Sequence, residues 1–212
     1  QDNSRVKRPH HPPWYKDIPE NHPEVLDLIK QTTAQSKRVP TFTERGFEKI
    51  KMPENVFKYL LDVVRKTDRV KEDGKNIFRR TSSGPPPYLI PIPQEKRSWI
   101  HSELQPYVEK WSKMKLKPTS AYGPREYRRG SSLRMHTDTE TTHIISLILH
   151  IDRENMDEDW PLVVINREGN RENVYMKPGE MVLYESASLP HSRELPLKGD
   201  YYVNMFMHWE PA

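Results

Sequence analysis

From about residue 119 onward the chain is cut into short apolar segments by turn-forming residues, and this constrains the fold more than any other feature. HIISLILHI (143–151), PLVVIN (161–166), ENVYM (172–176), EMVLYES (180–186) and DYYVNMFMHW (200–209) are rich in Val, Ile, Leu, Tyr and Met and read as strands. REGN at 167–170, KPGE at 177–180 and LKGD at 197–200 place Gly, Pro, Asn and Asp where tight turns need them, and so predict hairpins.

The first half has a different texture. Apolar residues recur at helical spacing in Val25, Leu26, Leu28 and Ile29, in Val56, Phe57, Leu60, Leu61 and Val64, and in Ile100, Leu104, Tyr107, Trp111 and Met114. Pro53 fits the first turn of the second helix, whereas Pro106 predicts a kink or break in the third. His101 lies on that helix and is expected at the surface. Pro9, Pro12, Pro13, Pro19 and Pro23 mark an irregular arm over 1–24, and Pro85, Pro86, Pro87, Pro91 and Pro93 mark an extended connector. The expected architecture is α+β with a mainly β core, as one domain over 25–212. Helical support (25–118) backs an antiparallel sandwich or barrel (119–209).

Composition narrows the function. With 212 residues and no cysteine, the chain has room for one real core but none for disulfides, thiol nucleophiles or thiolate-bound metals. Any metal must be held by His and carboxylates. Thirty-four Lys and Arg against 30 Asp and Glu give a formal charge of +4, too mild for a dedicated nucleic-acid binder. No run approaches the roughly 18 apolar residues of a membrane-spanning helix. The opening QDNSRVKRPHHPPW has no apolar targeting core, and the compartment stays open.

His136-Thr137-Asp138 and the distant His191 carry the chemistry. In an extended segment residues i and i+2 point the same way, so His136 and Asp138 can reach one point in space. A further inward histidine completes two imidazoles and a carboxylate on one face of an octahedron, the donor set of non-haem Fe(II) sites. His191, just after an apolar strand, is the best third ligand. An H-x-D by itself is common, and His143, His150 and His208 read as strand or rim residues.

The surroundings decide. REYRRGSSLRMHTD (125–138), followed by a hydrophobic strand and then MKPGEMVLYESASLPHSRELPLKG (176–199), resembles the Fe(II)/2-oxoglutarate-dependent dioxygenases, specifically their prolyl 4-hydroxylase-like branch. The resemblance covers roughly residues 119–209. It implies a double-stranded β-helix, or jelly roll, buttressed by helices. It also implies Fe(II) on His136, Asp138 and His191, with 2-oxoglutarate as co-substrate and O2 as oxidant.

One departure concerns 2-oxoglutarate. The prolyl hydroxylases carry a Lys or Arg on the strand after the distal histidine, where this chain has Asp200 and Tyr201. Arg193, two residues past His191, points into the same cavity if the strand continues, and its fork suits a carboxylate. Lys198 is the alternative cation, although it also reads as an exposed loop lysine. Tyr127 matches the family's first-strand tyrosine and could bond the same carboxylate, with core packing as an equal reading. Parity also turns Arg134 toward the site, where it could hold a substrate carboxylate; an outward salt bridge fits it as well. Tyr184, Tyr202 and Trp209 read as core. The resemblance implies a proline-containing peptide or a small acidic, amino-acid-derived substrate. It is hydroxylated or, in kainoid-type chemistry, cyclised. A metal-free binding module is the competing class.

Overall fold

A computed structural model describes residues 18–72 and 80–212; Pro9, Pro12 and Pro13 of the expected arm lie outside them. Three helices precede most of the β structure. In α1 (Pro23–Arg38), Pro23 supplies a preset φ at the first position and the His22 ring caps Glu24 N–H at 3.2 Å. Only Val25, Leu28 and Thr32 of its face are buried, while Leu26 and Ile29 lie exposed. In α2 (Glu54–Lys66) Val56, Leu60 and Val64, four apart, form one buried stripe. Ile100, Leu104 and Val108 do the same in α3 (Gln94–Ser112).

Two expectations bear on α3. The helix is not split at Pro106, because its buried stripe is held on both sides of the proline. His101 is buried rather than exposed, its ring edge-on to Trp209 at 5.0 Å. That contact occupies the gap between α3 and the sheet.

Twelve strands follow in chain order among the described residues: β1 (Phe47–Lys51), β2 (Val70–Lys71), β3 (Ser82–Ser83), β4 (Tyr88–Leu89), β5 (Leu116–Arg128), β6 (Ser132–His136), β7 (Ile145–Glu154), β8 (Leu162–Ile165), β9 (Arg171–Val174), β10 (Glu180–Tyr184), β11 (His191–Arg193) and β12 (Tyr201–Pro211). They make a major sheet in the order β1-β10-β7-β12-β5-β4-β2 and a minor sheet in the order β3-β6-β11-β8-β9, with antiparallel neighbours. This is a jelly roll with helical support, as expected.

REGN closes a true hairpin between β8 and β9, with Gly169 at φ +84°. KPGE and LKGD do not: each carries the chain from the minor sheet to the major one. Strands that alternate between two sheets need a connection across the sandwich, which spans about 10 Å, and local turn residues cannot distinguish the two cases.

The major sheet separates two cores. On its outer face Ile145, Leu147, Leu149 and Ile151 of β7 and Val203, Met205, Met207 and Trp209 of β12 pack against α2 and α3. On its inner face Ile148, Val182 and Tyr184 meet Leu162 and Val164 of the minor sheet, and Tyr127 and Tyr202 meet Trp160 and Leu197. β7 is covered on both sides, which is why its apolar run is nearly continuous. Gly84 pins β3 beside β6: a Cβ there would stand 2.0 Å from Gly130 O, so only glycine permits the approach.

Candidate metal and co-substrate site

The minor sheet brings His136 and His191 together. They are direct cross-strand partners in the β6–β11 pair, with ring centroids 4.4 Å apart. Each ring places Nδ1 on a backbone carbonyl two residues back, Arg134 O at 2.7 Å and Leu189 O at 2.8 Å. A carbonyl only accepts, so each Nδ1 carries the proton and each Nε2 presents a lone pair. Both Nε2 atoms stand 3.6 Å from the same oxygen, Asp138 Oδ1.

Asp138 lies just past β6 and is fixed from three directions. Its N–H donates to Ser186 O (2.9 Å), and Tyr184 O–H donates to its Oδ2 (3.4 Å). Its carbonyl accepts from Gln35 Nε2 on α1 (2.5 Å), and the same amide reaches Ala187 O at 2.9 Å. Gln35 thus ties together the loop that carries Asp138 and the loop that leads to His191.

His136, Asp138 and His191 form a cluster whose ligand atoms lie within 4.8 Å of one another. Burial and the neighbouring His191 bring His136 down to about 4. Burial alone would raise the Asp138 carboxyl, but His191 and His136 more than offset it and hold it well below the usual carboxylate range. Two imidazoles and a carboxylate, aimed at one point and spaced for an ion about 2 Å from each, fit a divalent transition metal with positions left open.

Beyond His191, Arg193 is buried at 2% exposure and faces the interior, as strand parity requires. Its guanidinium lies between the rings of Trp160 (4.6 Å) and Tyr202 (4.8 Å) and donates to Trp160 O. Among the described residues it has no carboxylate partner. Tyr127 is buried nearby, edge-on to Trp160 at 5.3 Å, with its hydroxyl 3.5 Å from Arg125. Arg125 differs from Arg193, because Glu72 matches its charge at 2.7 Å.

The other two expected cations lie elsewhere. Lys198 is exposed and pairs with Glu158 at 2.8 Å, because its turn crosses the outside of the sandwich. Arg134 is largely covered but fully engaged: it donates to Ile18 O (2.6 Å), Ser82 O (3.1 Å) and Glu20 (2.9 Å), and so fastens the start of the described chain to β6. Tyr201 faces the helices and donates to Asp152 at 3.2 Å, so its place offers the interior nothing.

Residues not proposed as ligands also contribute. Tyr184 and Tyr202 are buried, yet the first touches Asp138 and the second carries the His150 ring flat against it at 3.9 Å. His143 precedes β7 and stacks on His208 at 3.6 Å, while Ser146 links His208 Nδ1 (2.7 Å) to Ser186 (2.6 Å), which neighbours the Asp138 loop.

No family profile and no curated protein matches the sequence. Solved structures match over most of the chain. A prolyl-4-hydroxylase from Pseudomonas putida superposes with a TM-score of 0.55 at 12% identity, covering 89% of this chain and 99% of its own. HygX from Streptomyces hygroscopicus, solved with nickel, 2-oxoglutarate and hygromycin B, gives 0.57 at 13% over 79% and 84%. A Trichoplax adhaerens prolyl hydroxylase in complex with a hypoxia inducible factor peptide fragment gives 0.55 at 13% over 87% and 92%. The chain therefore has the fold of the Fe(II)/2-oxoglutarate oxygenases, prolyl 4-hydroxylases among them.

Proposed function

We propose that this chain is an Fe(II)- and 2-oxoglutarate-dependent oxygenase that oxidises an unactivated C–H bond, with His136, Asp138 and His191 as metal ligands. The observation that carries this reading is the aim of two unprotonated Nε2 atoms at one oxygen of Asp138, inside a jelly roll shared with such oxygenases. Bound Fe(II) with 2-oxoglutarate supplies the oxidising chemistry, coupling O2 reduction and release of CO2 and succinate to substrate oxidation. The protein's part is orientation. Arg134 O and Leu189 O fix both imidazole tautomers, and Gln35 and Tyr184 hold the carboxylate.

Arg193 serves as the partner of the far carboxylate of 2-oxoglutarate. Among the described residues it is a buried cation without an anion, two residues from a metal ligand, and such a charge is costly unless an anion meets it. Tyr127 lines the same interior. Lys198 has no part in this reading, being committed to Glu158 at the surface.

For substrate, the reading is hydroxylation of a prolyl or related amino-acid compound. Its support is the prolyl-hydroxylase likeness in both motif and fold. A second reading, oxidative cyclisation of a small acid, draws on Arg134. Glu20, its partner, is 76% exposed, so a substrate carboxylate could displace it at small cost. The deciding assay compares 2-oxoglutarate consumption with proline-rich peptides, free amino acids and N-alkylated glutamate derivatives. Turnover with peptides supports prolyl hydroxylation. Coupled turnover only with the small acids, giving a cyclised product without a new hydroxyl, overturns it.

A further inference from the structure

Asn204 stands in the middle of β12, flanked by Val203 and Met205 of the outer core, with its own side chain turned between the sheets and completely buried. Across the sheet it pairs with His150 of β7 on one side and Arg125 of β5 on the other. Its amide oxygen accepts from Arg193 Nη2 at 3.2 Å in the orientation that satisfies the network, the only one that keeps an amino group away from the guanidinium. The amino group then faces Val203 O at 3.1 Å and His150 Nδ1 at 3.2 Å.

His150 Nδ1 also stands 3.1 Å from Val203 O, so ring, amide and carbonyl meet at one point. The His150 Nε2 is buried and has no hydrogen-bond partner among the described residues. Tyr202 holds the ring from one face, stacked at 3.9 Å and 7°, and also carries the Arg193 guanidinium 4.8 Å from its centroid. One asparagine thus orients a buried guanidinium that has no carboxylate partner among the described residues. A carboxylate in its place would answer the charge of Arg193 from within the protein.

We infer that Asn204 is a positioning and specificity-determining residue: its neutral amide orients Arg193 without answering its charge, so that an anionic ligand, the far carboxylate of the co-substrate, completes it. The inference rests on the oxygenase reading above. It goes further by locating the selectivity for a dicarboxylate over a simple 2-oxo acid in a residue that touches neither the metal nor the ligand's reacting end. Arg125 does not compete for this role, since Glu72 already matches it at 2.7 Å.

The test is Asn204→Asp, nearly isosteric and opposite in its effects on folding and on binding. Isothermal titration of 2-oxoglutarate into protein loaded with Mn(II), which supports no turnover, should show affinity falling on the order of 100-fold or more, with Mn(II) affinity unchanged. Thermal unfolding of the metal-free variant should move up, because the new carboxylate meets the orphan cation. A residue with only a packing role would move both readouts down together. Asn204→Ser keeps the site neutral but gives up the amide that orients Arg193, and should lower 2-oxoglutarate affinity far less than Asn204→Asp, which guards against a folding failure in the first variant. If Asn204→Asp binds 2-oxoglutarate as tightly as the parent, the inference is overturned while the oxygenase reading stands. If the Mn(II)-loaded parent itself binds no 2-oxoglutarate, the oxygenase reading falls and takes the inference with it.

Discussion

His136 and His191 face each other across the β6–β11 pair, and each gives its Nδ1–H to the carbonyl of the residue two positions before it, Arg134 and Leu189. For His136 the acceptor lies in its own strand β6, whereas for His191 it lies in the bend just before β11. No second side chain is needed to set either tautomer. The ligand atoms are therefore oriented by backbone alone, and the burden of precision falls on the Asp138 loop, which leaves β6 and must be held from outside.

Gln35 does much of that holding, so Gln35→Ala should loosen the metal site without touching a ligand. We expect metal affinity to drop about 10-fold, the low end for lost outer-sphere support. Global stability should fall by no more than about 1–2 kcal/mol for two hydrogen bonds. Titration of Mn(II) into the variant, alongside chemical denaturation, separates the two effects. An unchanged metal affinity would show that Ser186 O and Tyr184 suffice.

The two cations proposed from sequence should behave oppositely. Arg193→Ala removes a buried guanidinium from between Trp160 and Tyr202 and should weaken 2-oxoglutarate binding on the order of 100-fold. Lys198→Ala, which breaks an exposed pair with Glu158, should change it less than about twofold. A larger loss at Lys198 would mean that the 197–200 turn reaches the interior in solution.

Stability should also depend on pH through the buried imidazoles. Burial and Arg193 bring His150 down to about 3, and burial with His143 does the same for His208. Below an ordinary histidine value near 6.5 the unfolded chain takes up protons that the folded one refuses. Each such ring therefore contributes stability that is complete above about pH 6.5 and is lost as pH falls toward 3, by up to about 1.4 kcal/mol per pH unit. Denaturation of the metal-free protein at pH 7, 6 and 5 measures the slope. His208→Gln should flatten it, and an identical slope in that variant would contradict the burial of a neutral ring there.

Much of this was legible in the strands that hold the fold, and less in those that hold the site. β7, β10 and β12 announce themselves by apolar runs because both faces or one full face are buried. β11 is three residues, His-Ser-Arg, and β3 is two serines; they pair because the long strands around them fix the geometry, and no periodicity could reveal them. β5 is written with Pro118, Gly123 and Pro124 inside it, residues that argue against a strand, yet nearly its whole length is paired to β12. Arg193, which parity turned toward the interior, is buried between Trp160 and Tyr202. Parity could not foresee that Arg134 would be claimed by Ile18 and Glu20, since that depends on where an irregular segment lies. Asn204 and His150 did leave a signal: each is a polar residue inside one of the most apolar strands, a pattern that asks what the buried group is for.

The most direct test of the central claim is an anaerobic titration of the metal-free protein with Fe(II) and then 2-oxoglutarate, followed by visible absorption. The account predicts a weak charge-transfer band that appears only when both are present, saturates at one equivalent of each, and is missing in His136→Ala, Asp138→Ala and His191→Ala. If no band forms in the parent protein, or if it persists in His191→Ala and vanishes in His150→Ala or His208→Ala, the metal centre described here is contradicted.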